Sequence, residues 1–356
     1  MTKILFTGGG TAGHVTLNLG LMPLFREAGW EVIYIGSKTG IENELVRRIS
    51  GVRLYQITTG KLRRYFSWEN FKDALRVPAG IVQAFKIIRR EKPDVIFSKG
   101  GFVSFPVVVA GWLAGCRKIY MHESDVTPGL ANRMSLPFVK TFFTTFEETS
   151  KHVSKPQKVK YVGPVLTDRL FGGDAQKGRD MCYFTEVKPV ILFVGGSLGA
   201  KSLNNAVLKN LEALLEKYQI IHICGKGQSL KARCKNYMQF EFVDREFKDL
   251  LALADVVVSR SGSNAIFEFL SLKKPMLLVP LPSGSSRGEQ ALNAQSFKDK
   301  GFAEIVKDDE VTQKLVSAVD EMFAHKDEYV ANMEKAEWQH TSNQELYEYI
   351  RNDTNL

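Results

Sequence analysis

The sequence predicts an α/β fold made of two halves, each built on a doubly wound parallel sheet. In residues 4–14 and again in residues 191–200, an apolar strand runs into a glycine-rich turn, and helix-forming sequence follows. Strand-like runs alternate with helix-length segments throughout, which is typical of parallel sheets. The length of 356 residues exceeds the roughly 250–300 residues that one hydrophobic core usually fills. The chain is therefore interpreted as two Rossmann-type halves that face each other across a cleft.

The alternation assigns the strands and the domains in order. In the first half the predicted strands are residues 4–7, 32–35, 53–57, 95–98, 118–121 and 141–144. In the second half they are residues 190–194, 220–224, 240–243, 256–259, 276–279 and 303–306. We expect residues 1–162 to form the first domain and residues 163–340 the second, with 171–179 as a connecting loop. The polar tail 341–356 is predicted to be a helix that packs back on the first domain.

The composition is that of a globular protein with a basic balance. The net charge of +9 at pH 7 favours a polyanionic partner: nucleic acid, an anionic membrane surface or a phosphorylated substrate. The cysteines are scattered, without a CxxC pair or zinc-like spacing to histidine, so neither a disulfide framework nor a metal site is predicted. No charged leader precedes the first strand, and no apolar run reaches the roughly 18–20 residues of a membrane span. We therefore expect a cytoplasmic protein that attaches to a membrane only peripherally.

The glycine-rich turns predict anion binding. A turn of this kind at a helix N-terminus can point backbone N–H groups at a phosphate. A single copy is often only a tight chain reversal, but two copies favour a nucleotide-linked substrate held between the halves. The first turn lacks GxGxxG spacing and no acid ends the second strand, which argues against a nicotinamide cofactor. His14 follows this turn, where the helix dipole favours neutral imidazole, so it is either a general base or a structural histidine.

A second group of polar residues lies in the second half. Residues 255–268 are predicted to form a strand, a small-residue turn and a helix, with Glu268 inside the helix. Its carboxylate can accept hydrogen bonds from both hydroxyls of a ribose; the alternative is a solvated helix position. Gln290 and Asn293 lie three residues apart on one face of a later helix, which suits hydrogen bonds to sugar hydroxyls. The alternative for this segment is helix capping by the serines before it.

Several motifs carry a family resemblance when they are taken together. The chain contains Gly9-Gly10-Thr11-Ala12-Gly13-His14, His122-Glu123-Ser124-Asp125, Gly195-Gly196-Ser197-Leu198-Gly199-Ala200, and a run from Arg260-Ser261-Gly262 through Glu268 to Gln290-Ala291-Leu292-Asn293-Ala294. Their combination and order resemble the MurG family of UDP-N-acetylglucosamine:undecaprenyl-pyrophosphoryl-muramoyl-pentapeptide N-acetylglucosaminyltransferases. The resemblance implies a GT-B fold and an inverting transfer of N-acetylglucosamine from UDP-N-acetylglucosamine to the 4-hydroxyl of lipid I. The product is lipid II of peptidoglycan synthesis.

The resemblance also implies roles for individual residues. In the second domain Glu268 takes the ribose hydroxyls and the main chain near Val243 takes the uracil. The remaining implied donor-binding residues are Ser197, Asn204, Ser263, Asn264, Gln290, Asn293 and Leu166. In the first domain His14 is the implied base, with Glu123 as the alternative, and the acceptor pyrophosphate lies on Gly10, Thr11, Ala12 and Gly13 beside His122 and Asp125. No cofactor and no metal are implied, because helix dipoles and turn N–H groups can stabilise the leaving UDP.

A few positions depart from the family pattern. Ala12 stands at the fourth place of the usual Gly-Gly-Thr-Gly-Gly-His. Ser124 and Asp125 replace Gln-Asn after His-Glu, so that an amide donor becomes an acidic acceptor. Leu166 stands where many members have Arg after Pro-Val, which removes a cation near the nucleotide.

The segment 61–92 is basic and aromatic, a pattern that suits an anionic bilayer surface. The predicted membrane patch comprises Trp68, Phe71, Lys72, Leu75 and Arg76, with Trp112 as a possible addition. The alternative is an ordinary amphipathic helix whose apolar face packs on the sheet. Nucleic acid is not expected, because no helix-turn-helix, RNA-stacking or zinc motif accompanies the charge. The expected partners are UDP-N-acetylglucosamine, lipid I and the anionic cytoplasmic face of the cell membrane.

Other functions are compatible with the same fold. A GT-B enzyme that makes a glycolipid, for example from diacylglycerol, differs in its acceptor. A UDP-N-acetylglucosamine 2-epimerase needs no membrane patch. A non-catalytic UDP-sugar sensor lacks a working base, and His14 with the acceptor-side turn argues against it.

Overall fold

The computed structural model describes residues 1–60, 68–196, 199–229, 234–282 and 288–354, and for residues 12, 68–75 and 168 it describes the backbone alone. The chain divides into two compact units, Met1–Thr167 with Gln339–Leu356 and Asp168–Trp338. Each unit contains a parallel sheet with helices, so the predicted α/β fold class is confirmed. None of the helices in the described part of the chain is long and apolar enough to cross a bilayer.

The sheet of the first unit is apolar along most of its strands. Ile4, Leu5 and Phe6 are fully buried, because helices cover both faces of such a sheet. Its strands are β1 (Lys3–Thr7), β2 (Glu31–Ser37), β3 (Val52–Ile57), β4 (Val95–Ser98), β5 (Ile119–Glu123), β6 (Thr141–Thr144) and β7 (Val159–Tyr161). They pair in parallel in the order β3-β2-β1-β4-β5-β6-β7.

Helices of the first unit connect these strands. They are α1 (Thr16–Glu27), α2 (Glu42–Arg47), α3 (Trp68–Glu91), α4 (Ser104–Leu113) and α5 (Leu130–Ser135), and strand β8 (Val165–Leu166) follows. Short 3-10 helices lie at Ala12–His14, Leu136–Phe138, Glu147–His152 and Pro156–Lys158.

The second unit repeats this design on its own core. Its strands are β9 (Val190–Val194), β10 (Gln219–Ile223), β11 (Tyr237–Phe240), β12 (Val256–Ser259), β13 (Met276–Leu278) and β14 (Ala303–Ile305), in the parallel order β11-β10-β9-β12-β13-β14. A 3-10 helix at Asp168–Leu170 precedes its helices, which are α6 (Ala175–Met181), α7 (Lys201–Lys209), α8 (Leu211–Lys217), α9 (Phe247–Leu253), α10 (Ser263–Ser271), α11 (Glu289–Asp299), α12 (Val311–Ala324) and α13 (Lys326–Lys335).

The end of the chain returns to the first unit. Strand β15 (Thr341–Ser342) pairs in parallel with β8, and helix α14 (Asn343–Thr354) then packs against α1. The Tyr347 ring meets the Phe25 ring edge-on, with 4.8 Å between centroids. The Tyr120 hydroxyl donates to the Asp353 carboxylate at 2.5 Å. The tail therefore contributes both apolar and polar contacts to the first unit.

Most predicted strands differ from the observed ones by one or two residues at an end, and two predicted segments differ by more. The predicted loop 171–179 includes the first part of α6, because the Asp174 side chain accepts hydrogen bonds from the N–H groups of Gln176 and Lys177 and caps the helix. The predicted strand 240–243 is observed three residues earlier, at Tyr237–Phe240. It ends at Phe240 because this residue pairs with Ile223, the last residue of β10. The chain then leaves the sheet, and the Phe242 side chain is exposed.

The strand orders locate a crevice in each unit. In the first sheet the connections reverse direction between β1 and β4, and in the second sheet they reverse between β9 and β12. Ligands of open parallel sheets bind at such switch points, beside the carboxyl ends of the strands. The glycine-rich turns after β1 and β9 lie at these points.

Candidate active site

The turn after β1 uses some of its N–H groups within the first unit. The Gly9 N–H donates to the Gly100 carbonyl at 3.3 Å, and the Gly10 N–H donates to Oε2 of Glu42 at 3.2 Å. Gly10 has a φ of +91°, which favours glycine at this position. These bonds occupy the N–H groups of Gly9 and Gly10 within the first unit, and binding of an anion at this turn stays a prediction. The following residues Thr11 and Gly13 are exposed.

His14 is held at the end of the short 3-10 helix that follows this turn. Its N–H donates to the Thr11 carbonyl at 3.2 Å, and its Nδ1 lies 3.1 Å from the Thr11 hydroxyl. The side chain is half-buried. Both contacts tie His14 to Thr11, and its role as a general base stays a prediction.

Glu123 is the last residue of strand β5, and its carboxylate accepts hydrogen bonds from the residues that follow the strand. Its Oε1 accepts from the N–H groups of Ser124 and Asp125 at 3.0 and 3.2 Å. Its Oε2 accepts from the Gly129 N–H at 2.9 Å and from the Asn132 amide at 3.0 Å. The carboxylate is buried, and both oxygens hold the loop. This geometry does not support the alternative of Glu123 as the catalytic base.

Lys99 is a residue of this region that sequence reasoning missed. It follows β4 directly, before Gly100-Gly101, and its ammonium group lies 2.8 Å from Nδ1 of His122 and donates to the Ser124 hydroxyl. Burial lowers the pKa of Lys99 to about 8, although the charges of Glu123 and Asp125 raise it in part. Burial and the nearby ammonium lower the pKa of His122 well below its usual value. His122 is therefore neutral and buried, and it does not line an open surface.

The turn after β9 lies at the switch point of the second sheet. Gly196 has a φ of +85°, and Ser197 lies outside the described residues. Asn204, on the helix that follows, is buried and fully engaged. Its Oδ1 accepts from Nε2 of His222 at 3.0 Å, and its amide donates to the Cys224 carbonyl at 2.9 Å. Asn204 therefore stabilises the core of the second unit, and the structure does not support its predicted donor contact.

The start of α10 presents the features expected of a nucleotide site. Gly262 precedes the helix, Ser263 is buried and Asn264 is exposed in its first turn. Glu268 lies within the same helix and is half-buried. Burial raises its pKa to about 7. Among the described residues, its carboxylate has no hydrogen bond or ion pair, so it is available to hydroxyl donors of a ligand.

The polar residues of α11 divide between two roles. Asn293 is fully buried, and its amide donates to the Ser261 carbonyl at 3.2 Å. Asn293 thus supports the turn before α10, and its predicted contact with a sugar hydroxyl stays a prediction. Gln290 is half-buried, and its Oε1 accepts from the Leu281 N–H at 3.1 Å. This bond directs the Gln290 side chain toward the loop after β13.

The remaining predicted positions lie apart from these clusters. Leu166 is buried in β8, in the first unit, and pairs with Ser342. Val243 is half-buried between β11 and α9. Of the predicted membrane patch, Arg76 is exposed on α3, whereas the side chains of Trp68, Phe71, Lys72 and Leu75 lie outside the described part of the chain. In the parts of the chain that the structure describes, no group of His, Cys, Asp or Glu is arranged to hold a metal ion.

Two models of one protein family match the chain, one in each half. The Glycosyltransferase family 28 N-terminal domain matches residues 4–144, and the Glycosyltransferase family 28 C-terminal domain matches residues 190–348. The crystal structure of MurG from Acinetobacter baumannii has a TM-score of 0.77, with 23% identity, and covers 99% of this chain and 100% of that chain. The protein is thus a glycosyltransferase with the GT-B fold.

Relatives at higher identity define its family. The UDP-N-acetylglucosamine--N-acetylmuramyl-(pentapeptide) pyrophosphoryl-undecaprenol N-acetylglucosamine transferase of Geobacillus kaustophilus is 53% identical over 338 residues, 94% of each chain. The enzyme of the same name from Staphylococcus aureus is 47% identical over 344 residues, 96% of each chain. The chain belongs to this transferase family, the MurG family.

Proposed function

We propose that this protein transfers N-acetylglucosamine from UDP-N-acetylglucosamine to the 4-hydroxyl of lipid I, the undecaprenyl-pyrophosphoryl acceptor, and so makes lipid II for peptidoglycan synthesis. The observation that carries this proposal is the identity of 53% over 94% of the chain to a relative named for this transfer. The GT-B fold and the polar groups at both switch points support it.

The donor binds in the second unit in this proposal. Glu268 supports the assignment because its half-buried carboxylate lacks a partner among the described residues, and ribose hydroxyls are suitable donors to it. Ser263 and Asn264 lie in the first turn of α10, where the helix dipole attracts the pyrophosphate. Ser197 of the preceding turn contributes to the same group. Asn293 acts indirectly, through the turn that it supports.

Two further positions complete the donor site in this proposal. Gln290 contacts the N-acetylglucosamine hydroxyls through its amide nitrogen, since its Oε1 is bonded to the Leu281 N–H. The main chain near Val243 pairs with the uracil. Leu166 is buried in β8 of the first unit, and no contact with the donor is proposed for it.

The acceptor binds at the first crevice. Thr11, Ala12 and Gly13 bind its pyrophosphate in this proposal, since Thr11 and Gly13 are exposed and Gly9 and Gly10 use their N–H groups internally. His14 takes the proton of the 4-hydroxyl, the oxygen forms its bond to the anomeric carbon, and the bond from that carbon to UDP breaks. UDP leaves with the electron pair, and the N-terminus of α10 stabilises its charge. Attack from the face opposite UDP inverts the anomeric centre.

UDP release tests the transfer directly. Purified protein receives UDP-N-acetylglucosamine with and without a lipid-pyrophosphate-linked N-acetylmuramoyl-pentapeptide. We expect acceptor-dependent UDP release by the native protein, loss of turnover with retained donor affinity in His14→Ala, and loss of donor affinity in Glu268→Ala. The matched controls His152→Ala and Glu212→Ala change exposed residues of the same types and leave release unchanged. Donor binding without acceptor-dependent release would instead favour another acceptor, an epimerase or a sensor.

We further propose peripheral attachment to the anionic cytoplasmic face of the membrane. Support comes from the basic segment 61–92 and from α4, which packs against α3 and carries exposed Trp112 and Leu113. The Arg117 guanidinium lies 5.0 Å from the Trp112 ring, so a cation and an aromatic ring lie together. Aromatic rings and cations of this kind bind at lipid headgroups.

Binding to anionic liposomes tests the attachment. The triple variant Trp68→Ser, Phe71→Ser, Leu75→Ser loses binding and keeps turnover with a soluble acceptor. The control triple variant Phe171→Ser, Tyr183→Ser, Val187→Ser removes exposed apolar side chains of the second unit and binds normally. Equal binding by both triple variants would remove residues 68–75 from the membrane patch.

A further inference from the structure

Glu42 is a buried carboxylate beneath the first glycine-rich turn. It lies in the first turn of α2 and is completely shielded from solvent. Its Oε2 accepts from the Gly10 N–H at 3.2 Å. Its Oε1 accepts from the N–H and the hydroxyl of Ser37 at 2.8 and 2.6 Å. Among the described residues no Lys or Arg lies within ion-pair distance of this carboxylate, and the donors that reach it there are neutral.

The surrounding chain is shaped around this carboxylate. A Cβ atom at Gly9 would lie 2.5 Å from the Glu42 carboxylate, one at Gly36 would lie 2.9 Å from its Cγ, and one at Gly40 would lie 2.0 Å from Oε2. Such distances are far below van der Waals contact, so a side chain at any of the three glycines would displace Glu42 from its present position. The site therefore accommodates a carboxylate in close contact with the backbone of the turn.

A chain of contacts links this carboxylate to His14. The Gly10 N–H is fixed by Glu42, and Gly10 is followed directly by Thr11. Thr11 then contacts His14 twice, through its carbonyl at 3.2 Å and its hydroxyl at 3.1 Å. The backbone at Gly10, with a φ of +91°, is the connection between the two ends. A change in the backbone conformation of Gly10 would thus change the position of the His14 imidazole.

We propose that Glu42 is a positioning residue, an internal anion that occupies the Gly10 N–H of the first glycine-rich turn and thereby sets the position of His14. In a turn of this type the N–H would otherwise be open to a phosphate. The carboxylate also repels a second anion at the same N–H, so the acceptor pyrophosphate is directed to residues beyond Gly10. The link to catalysis rests on the proposed function, whereas the link to the turn does not.

Glu42→Gln is expected to change the contact of one side-chain oxygen and to keep that of the other. With its carbonyl oxygen toward Ser37, the amide nitrogen faces the Gly10 N–H, and two donors cannot bond. The variant keeps the size of the side chain and loses the contact to the turn. Ser37→Ala does the reverse, because it removes a bond to Oε1 and leaves the Gly10 contact. Glu44→Gln, in the same helix but exposed, is the matched control.

Three readouts follow these variants. The first is amide hydrogen exchange of the peptide that contains Gly10. The second is the ring-proton NMR signal of His14, assigned with His14→Ala. The third is the pair of kcat and donor KM. In Glu42→Gln we expect faster exchange, a shifted His14 signal and a kcat lowered about tenfold or more, since an ångström of misplacement can cost about 100-fold. Donor KM stays the same, and Ser37→Ala and Glu44→Gln resemble the native protein.

Different failures lead to different conclusions. Native exchange or an unmoved His14 signal in Glu42→Gln overturns the inference, as does a native kcat. If the native protein shows no transfer, the proposed function fails. The amide hydrogen exchange at Gly10 and the NMR signal of His14 then still decide the role of Glu42. If Glu42→Gln does not fold, Gly10→Ala replaces it, because a Cβ there meets no atom within 4 Å but strains the backbone. Gly10→Ala with a native His14 signal overturns the inference.

Discussion

The Nζ atom of Lys99 lies 2.8 Å from Nδ1 of His122, and both side chains are buried at the carboxyl edge of the first sheet. Because burial keeps His122 neutral, its Nδ1 accepts the hydrogen bond and no second positive charge arises. The ammonium group also donates to the Ser124 hydroxyl. The loop at 124–125, where this chain departs from the family pattern, is therefore joined to β4 by a buried lysine.

Replacing Lys99 with Met should change how stability depends on pH. The pKa of Lys99 is about 8 in the fold and about 10.4 in an unfolded chain, so burying the charge costs on the order of 3 kcal/mol below pH 8. Between pH 8 and about pH 10.4 the unfolded state binds more protons than the native state, so the free energy of unfolding rises with pH. The native protein should therefore gain about 3 kcal/mol relative to Lys99→Met from pH 8 to pH 10.4.

Urea unfolding at several pH values measures this difference. Lys209→Met, which changes an exposed lysine, is the control and should differ from the native protein by a constant amount. If the difference in free energy of unfolding between the native protein and Lys99→Met is also the same at every pH, burial of the Lys99 ammonium does not destabilise the fold.

Donor affinity should depend on pH through Glu268. Burial raises its pKa to about 7, and ribose hydroxyls bond more strongly to the ionised carboxylate. The affinity for UDP-N-acetylglucosamine should thus rise as pH increases toward 7, by up to about tenfold per pH unit, and level off above it. Calorimetric titration from pH 5.5 to 8 measures this profile. Glu268→Gln should bind weakly without the rise; a flat profile in the native protein would place the ribose elsewhere.

Asn204→Ala should reduce stability without changing donor recognition. The substitution leaves Nε2 of His222 and the Cys224 carbonyl without their partner in the core, at a cost of about 2–4 kcal/mol in the free energy of unfolding. Chemical denaturation and donor KM separate the two roles. Asn205→Ala, one position along and exposed, is the control. A raised donor KM at native stability would restore Asn204 as a donor contact.

Ile350→Ala should destabilise the first unit. Ile350 lies on α14, is fully buried and belongs to the core that includes Phe25 and Leu346. Truncating such a side chain typically costs about 2–5 kcal/mol. The urea midpoint should fall accordingly, while the exposed Glu348→Ala on the same helix leaves it unchanged. An unchanged midpoint in Ile350→Ala would mean that α14 adds little to this core.

Much of the fold and of the family assignment could be read from local patterns. The apolar runs at Val95–Ser98, Thr141–Thr144, Val190–Val194 and Val256–Ser259 match observed strands residue for residue, because buried parallel strands are continuously apolar. The glycine-rich turns, His14 and Glu268 were identified by their place after a strand or within a helix. Asp174 was missed as a helix cap, although its position before α6 is a recognisable signal.

Burial of polar side chains could not be read in this way. Asn204, Asn293 and Glu123 have the residue types of binding groups, yet folding places their polar atoms against backbone and side chains of the core. Glu42 and Lys99 are ordinary charged residues in the sequence, and only the fold brings them beneath the first turn and beside His122. The sequence alone thus determines most strands and turns, because apolar periodicity and glycine act within a few neighbouring residues, and its motifs in their order carry the family resemblance. Which polar groups support the site and which remain available to a ligand depends on contacts between distant segments, and those exist only after the chain has folded.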